Sequence, residues 1–103
     1  MIRRERRQPV TGAYFKLNDP YKNRDHKNLK YGIDNISRGG LRFSSQDIFC
    51  IDDLISISVY INDEEIHNAR CRICYFEHDN TSRDGDFYGL SFIDKFMDMK
   101  FCN

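Results

Sequence analysis

The chain has 103 residues, of which 40% are hydrophobic, 14% aromatic and 31% charged, and its formal net charge is +0. That length leaves room for one domain with one core. No apolar run approaches the roughly 18 residues of a spanning helix, and the arginine-rich start is unlike a secretory signal, so a cytoplasmic domain without membrane insertion is expected.

Residues 1–8 carry Arg3, Arg4, Arg6 and Arg7 against Glu5 alone. Four clustered arginines at a terminus repel one another, so a flexible basic arm is expected there, ahead of a folded domain over 9–103. The stretch 77–103 is acidic in turn, with Glu77, Asp79, Asp84, Asp86, Asp94 and Asp98 against Arg83, Lys95 and Lys100. A basic arm on a neutral body suits a local anionic ligand better than general affinity for nucleic acid.

Strands are expected over 10–17, 29–36 and 41–44. The clearest lies at 54–61, where Ile55, Ile57, Val59 and Ile61 share one face and Ser56, Ser58 and Tyr60 the other, the period of two that a half-buried strand requires. Residues 69–77 place Cys71, Ile73 and Tyr75 opposite Arg70, Arg72, Cys74 and Phe76, and 86–93 alternate again through Tyr88, Leu90 and Phe92. Turn-rich stretches separate them: Asn18 to Asn28, Gly39-Gly40, Asn62-Asp63, and His78 to Asp86. Short strands in this number predict an antiparallel barrel or sandwich. Ile93, Phe96, Met97 and Phe101 fall at helical spacing, which predicts a C-terminal helix of about two turns against one barrel mouth.

Cys71-Arg72-Ile73-Cys74 has the spacing of a redox or zinc motif. Within a strand, however, residues i and i+3 point to opposite faces, and Cys50 and Cys102 supply no second pair. Free thiols are expected, with no metal. His26, His67 and His78 are scattered. No nucleophile elbow, phosphate-binding glycine loop or HExxH is present, so an enzyme is not expected.

Two segments remain. Arg3-Arg4-Glu5-Arg6-Arg7 is an RxxxR arrangement directly ahead of the first strand. Asn35-Ile36-Ser37-Arg38-Gly39-Gly40 fits [D/N]xSxxG where one strand turns into the next. Each alone is common; their joint occurrence in this order is far more specific. With Gly89-Leu90-Ser91-Phe92 in the last strand, the chain resembles the PilZ domain family of bacterial cyclic di-GMP receptors over nearly its whole length.

The resemblance implies a six-stranded antiparallel barrel with a C-terminal helix, here short for the family. It also implies cyclic di-GMP as ligand and binding without turnover. Arg3 and Arg7 would form the clamp, with Arg4 and Arg6 adding field; Asn35, Ser37 and Gly40 would form the facing pocket, with Arg38 and Arg42 flanking the turn. A guanidinium suits this ligand because it pairs with guanine O6 and N7, stacks on a base or grips a phosphate. Asn35 offers a donor and an acceptor to a guanine edge, Ser37 suits a phosphate oxygen or pins the turn, and Gly40 allows close approach or positive φ. Ligand would order the arm and present a new surface to a downstream protein partner. The alternative is a PilZ-type adaptor that works through protein contacts without ligand.

Overall fold

The alternation of apolar and polar residues is realised as strands that close on themselves. A computed structural model describes residues 8–9, 12–19, 30–78 and 85–101, with Gln8, Pro9 and Met99 described by their backbone only. Its strands are β1 (Gln8–Pro9), β2 (Ala13–Leu17), β3 (Tyr31–Ser37), β4 (Gly40–Ser45), β5 (Leu54–Ile61), β6 (Glu64–Glu77) and β7 (Asp86–Phe92). All pairings are antiparallel. Strands β2 to β7 form a closed six-stranded barrel in the spatial order β2-β5-β6-β7-β4-β3, with β3 returning to β2. The expected barrel is therefore the fold, and closure removes the exposed edges an open sheet would carry.

Because the chain has no Trp, the core at one end is built from stacked and edge-on Phe and Tyr. Phe43 is fully buried, and its ring centroid lies 4.8 Å from Phe15, 5.4 Å from Phe49 and 5.5 Å from Tyr88. Ile36, Ile57, Val59, Cys71 and Ile73 continue the interior. Burying each large apolar side chain contributes about 1.5–3 kcal/mol.

The β5–β6 hairpin turns at Asn62-Asp63, whose φ values of 53° and 67° are the paired positive angles a two-residue loop favours and that Asn and Asp tolerate. That turn starts β6 at Glu64, five residues before the expected position. Glu64, Glu65 and Asn68 carry no apolar alternation, so the turn and not burial sets their register.

Three bulges interrupt the ladders. The unpaired extra residues are Asp34 in β3, and Ile66 and Cys74 in β6. The bulge at Cys74 reverses the facing of the β6 residues beyond it. Ile73 pairs with core residue Leu90, but Tyr75 pairs with Gly89, and its ring covers the place where a Cβ of residue 89 would stand. Tyr75 therefore leaves the Cys71 and Ile73 face, against simple alternation.

The expected C-terminal helix is absent from the described residues; only Met99–Phe101 form a single 3-10 turn. The backbone of 93–97 bonds to the barrel and not to itself. Ile93 N–H donates to the Arg70 carbonyl at 2.9 Å, and Met97 N–H donates to the Arg38 carbonyl at 2.9 Å. The Asp94 carboxylate accepts from Arg70 N–H at 2.9 Å, and the Lys95 carbonyl lies 3.0 Å from His67 Nε2. Met97 alone of the expected stripe is fully buried, while Ile93 and Phe96 are exposed.

Backbones approach closely where β4 begins. Gly40 pairs with Ser91, and a Cβ on Gly40 would collide with the Leu90 carbonyl oxygen, a backbone atom that cannot swing away. At Gly39 a Cβ would meet nothing within 4 Å. Gly40→Ala is therefore expected to cost about 1–3 kcal/mol through overpacking. Gly39→Ala should stay within about 1 kcal/mol of wild type. Denaturant midpoints of the two variants check this, and equal midpoints would contradict the packing account.

Candidate functional site

The segment Asn35–Gly40 folds as the end of β3, a two-residue turn at Arg38-Gly39, and the start of β4, with Ser37 paired to Gly40. Neither turn residue has positive φ, and neither does Gly40. The glycine at 40 thus has a close-approach reason and not a φ reason. Ser37 is buried, and its Oγ donates to the Gly40 carbonyl at 3.3 Å, across the base of the turn. The turn's own carbonyls are also taken: Arg38 accepts from Met97 N–H and Gly39 from Phe92 N–H, each at 2.9 Å. This corner is held on three sides by backbone bonds.

Next to the turn, on the outer face, the bulge at Asp34 sets two successive β3 residues against one β4 residue, because Asn35 pairs with Arg42. The Arg42 guanidinium lies over the Phe87 ring, 4.1 Å from its centroid. Its Nη2 is 3.0 Å from Glu77 Oε1, and its Nε is 3.4 Å from Asp34 Oδ2, buried and without a hydrogen bond. Asn35 Nδ2 donates to the same Asp34 Oδ2 at 3.4 Å. Asn35 is half-buried and Arg42 a quarter exposed. Two carboxylates accordingly neutralise Arg42, which does not extend a bare positive surface. Arg38 on the turn is exposed, and its guanidinium carbon lies 5.5 Å from the Phe96 ring centroid.

The fold brings Asn35, Ser37, Arg38 and Gly40 into one hairpin end. Arg3, Arg4, Arg6 and Arg7 lie outside the described residues. The backbone directly after them is described: Gln8 pairs with Ile36 and Pro9 with Asn35. The residue covalently joined to Arg7 is thus laid along the strand that carries the turn. It uses the stretch of the β3 edge beyond the β2 pairs at Tyr31 and Gly32. Sequence reading missed Asp34 and the inner role of Arg42. No local signal marks them, since Glu77 lies far along the chain and a bulge has no residue signature in this strand.

A concavity lies at the opposite end of β3 and β4, between Tyr31–Gly32 and Ser44–Asp47. Its polar groups are engaged with one another: Tyr31 Oη donates to Asp47 Oδ2 at 2.7 Å, and Ser45 Oγ bonds both the N–H and the carbonyl of Asp47. Among the described residues no group of three His, Cys, Asp or Glu is placed to hold a metal ion, and no helix is long and apolar enough to cross a membrane.

A model of the PilZ domain matches residues 2–99, essentially the whole chain. No curated protein and no solved structure matches it significantly.

The CxxC segment makes no disulfide, since Cys71 and Cys74 are both free thiols. Cys71 is fully buried, and burial pushes its thiol up to about 12 from 9.0, with the Asp94 charge adding to the shift. A thiol this hard to ionise is a poor nucleophile. Native protein treated with an alkylating reagent at pH 8 should label exposed Cys50 and leave Cys71 unmodified until the chain unfolds. The raised value also ties stability to pH. Above pH 9 the unfolded thiol loses its proton while the folded one keeps it until about 12. This group's contribution is therefore complete below pH 9 and falls as pH rises through that window. Peptide mapping reads the labelling, and rapid native labelling of Cys71 would contradict it.

Proposed function

This chain belongs to the PilZ domain family, a family of non-catalytic receptors that generally bind cyclic di-GMP, and we propose that it is itself a cyclic di-GMP receptor. The ligand would sit between the Arg3–Arg7 arm and the Asn35–Gly40 corner. The observation that carries this reading is the pairing of Gln8 and Pro9 with Ile36 and Asn35. It lays the two residues that directly follow the first motif along the strand that carries the second.

Chemistry assigns the roles. Cyclic di-GMP is a dianion with two guanines, and arginine meets both its charge and its O6/N7 edge. Arg3 and Arg7 form the clamp, with Arg4 and Arg6 adding positive field. Asn35 addresses a guanine edge. The Ser37 bond to the Gly40 carbonyl is long at 3.3 Å; a phosphate oxygen, being charged, is the stronger acceptor for that hydroxyl. Gly40 contributes by keeping the corner closed. Exposed Arg38, on the turn itself, supplements the clamp. No metal is required, because the four arginines of the arm offset the ligand's charge. Ligand bridging arm and corner relieves the arginine repulsion and orders residues 1–7, presenting a changed surface to a protein partner.

Calorimetric titration with cyclic di-GMP tests the reading on wild type, Arg7→Ala and Ser37→Ala, with circular dichroism confirming the fold. Wild type is expected to bind saturably. Arg7→Ala should weaken binding by about 1.5–3 kcal/mol, the worth of hydrogen bonds to charged groups. Ser37→Ala should weaken it in the same direction. Wild-type affinity in both variants would overturn the site, and absence of binding by folded wild type would favour the ligand-independent adaptor.

A further inference from the structure

We propose that the outer face of β3 at Gly32, beside the stacked rings of Tyr14 and Tyr60, binds a nucleoside monophosphate, with its base on Tyr14 and its phosphate on Lys30 and Ser44. This site lies at the other end of β3 from the Asn35–Gly40 corner and does not depend on the cyclic di-GMP reading.

Three adjacent strands form one row here. Tyr14 of β2 pairs with Tyr60 of β5 on one side and with Gly32 of β3 on the other. Ala13, Phe15 and Val59 beside them in sequence are buried, so both tyrosine rings stand on the outer face. The rings stack with centroids 5.1 Å apart and planes 10° from parallel, near the spacing of about 4.7–4.9 Å between strands. Each ring therefore stands over its own strand, and a third ring continuing the stack would stand over β3 at Gly32. A Cβ on Gly32 would meet nothing within 4 Å. The far end of the row is filled, since Glu65 pairs with Tyr60 and Lys16 Nζ lies 5.5 Å from that ring's centroid. Tyr14 Oη donates to Asp63 Oδ1 at 2.9 Å. Bonded at its tip and stacked on one face, the Tyr14 ring presents its second face already fixed.

A cross-strand aromatic pair stabilises a sheet without any ligand; the surroundings of this pair point further. Tyr60 covers one face of Tyr14, so the Lys30 ammonium, 4.6 Å from the Tyr14 centroid, lies on the face toward Gly32. Lys30 is exposed and makes no ion pair among the described residues. With Gly32 and Ser44 it also lines the concavity at this end of the barrel, about 480 Å³ in volume. Asp47 inside that concavity turns its carboxylate to Tyr31 Oη, which leaves Lys30 as the uncommitted charge. Gly32 and Ser44 each lie one residue beyond the Ile33–Phe43 pair. The Ser44 hydroxyl, which has no hydrogen-bond partner among the described residues, is thus next to the open place.

An aromatic face with a free cation and a free hydroxyl beside it suits a ligand that joins a planar base to an anion. The base takes the place of the ammonium on Tyr14, and base–aromatic stacking tolerates any base. The ammonium exchanges a weak, exposed cation–π contact for a charge-assisted bond to phosphate. Ser44 donates to a second phosphate oxygen. One open place takes one base, whereas a single strand needs a succession of aromatic platforms.

A nuclear magnetic resonance titration of the labelled full chain with AMP, ribose 5-phosphate and inorganic phosphate tests the site, repeated on Gly32→Val and Lys30→Gln. AMP is expected to shift the amides of Tyr14, Lys30, Gly32 and Ser44 saturably. The two ligands without a base should bind at least about fivefold more weakly, the lower end of base–aromatic stacking. Gly32→Val keeps the fold, because open space receives the side chain and φ is not positive there; it should remove the AMP shifts by occupying the place of the base. Lys30→Gln, at an exposed position, should weaken AMP about tenfold through loss of a charged hydrogen bond.

Wild-type AMP binding in either variant, equal binding of inorganic phosphate, AMP shifts gathered at Asn35–Gly40, or no AMP shifts at all would overturn this site. Each of those results leaves the cyclic di-GMP reading standing, because that reading is tested with a different ligand and at different amides.

Discussion

The structure depends on a close backbone approach at Gly40, where the first residue of β4 lies against the Leu90 carbonyl with no room for a side chain. That approach lets β4 pair with β7 on one edge and β3 on the other, and so completes the barrel. It also determines what the Arg38-Gly39 turn can bond to. Gly39 is delivered to the end of β7 and Arg38 to the C-terminal segment, and both carbonyls are satisfied there. Those bonds tie the turn to β7 and to the C-terminal segment, each contributing about 0.5–1.5 kcal/mol. Closure and turn satisfaction are thus one event, and the corner that results is stiff. A stiff corner is what a recognition surface needs, because less freedom is then lost on binding.

The outer face beside the corner is arranged by irregularities. Regular pairing would put Asp34 and Asn35 on opposite sides of β3. The bulge brings both to Arg42. In β6 the bulge at Cys74 swings Tyr75 onto Gly89, the strand neighbour of Arg42, while Phe76 turns back to pack on Tyr88. The two departures from alternation lie either side of β4 and β7. They build one continuous patch of Asn35, Arg42, Phe87 and Tyr75 on a surface that would otherwise be an ordinary solvated face.

The sequence disclosed the parts governed by local rules. Burial alternation along Ile55–Ile61 and Tyr88–Phe92 announces strands, and Asn62-Asp63 announces a hairpin. The divergence of Cys71 and Cys74 comes from strand geometry alone. Nothing local announces the bulges at Asp34, Ile66 and Cys74, since each arises from the fit of two strands meeting around a closed barrel. The same limit hid the Arg42–Glu77 pair. The helical spacing of Ile93, Phe96, Met97 and Phe101 misled for a related reason: donors and acceptors of 93–97 find stronger claimants on β6 and the Arg38 turn than on their own neighbours. Of the candidate site, the corner Asn35–Gly40 was legible as a motif. Its meeting with the strand after Arg7 was visible only once β1 was paired.

The central claim is that a ligand binds where β1, β3 and the Arg38-Gly39 turn meet. A nuclear magnetic resonance titration of the labelled full chain with cyclic di-GMP tests it most directly, by mapping which backbone amides shift. Saturable shifts concentrated at Gln8 and Asn35–Gly40 are the predicted result. Shifts centred on the opposite end, at Tyr31 and Ser44–Asp47, or none in folded protein at saturating ligand, would contradict it.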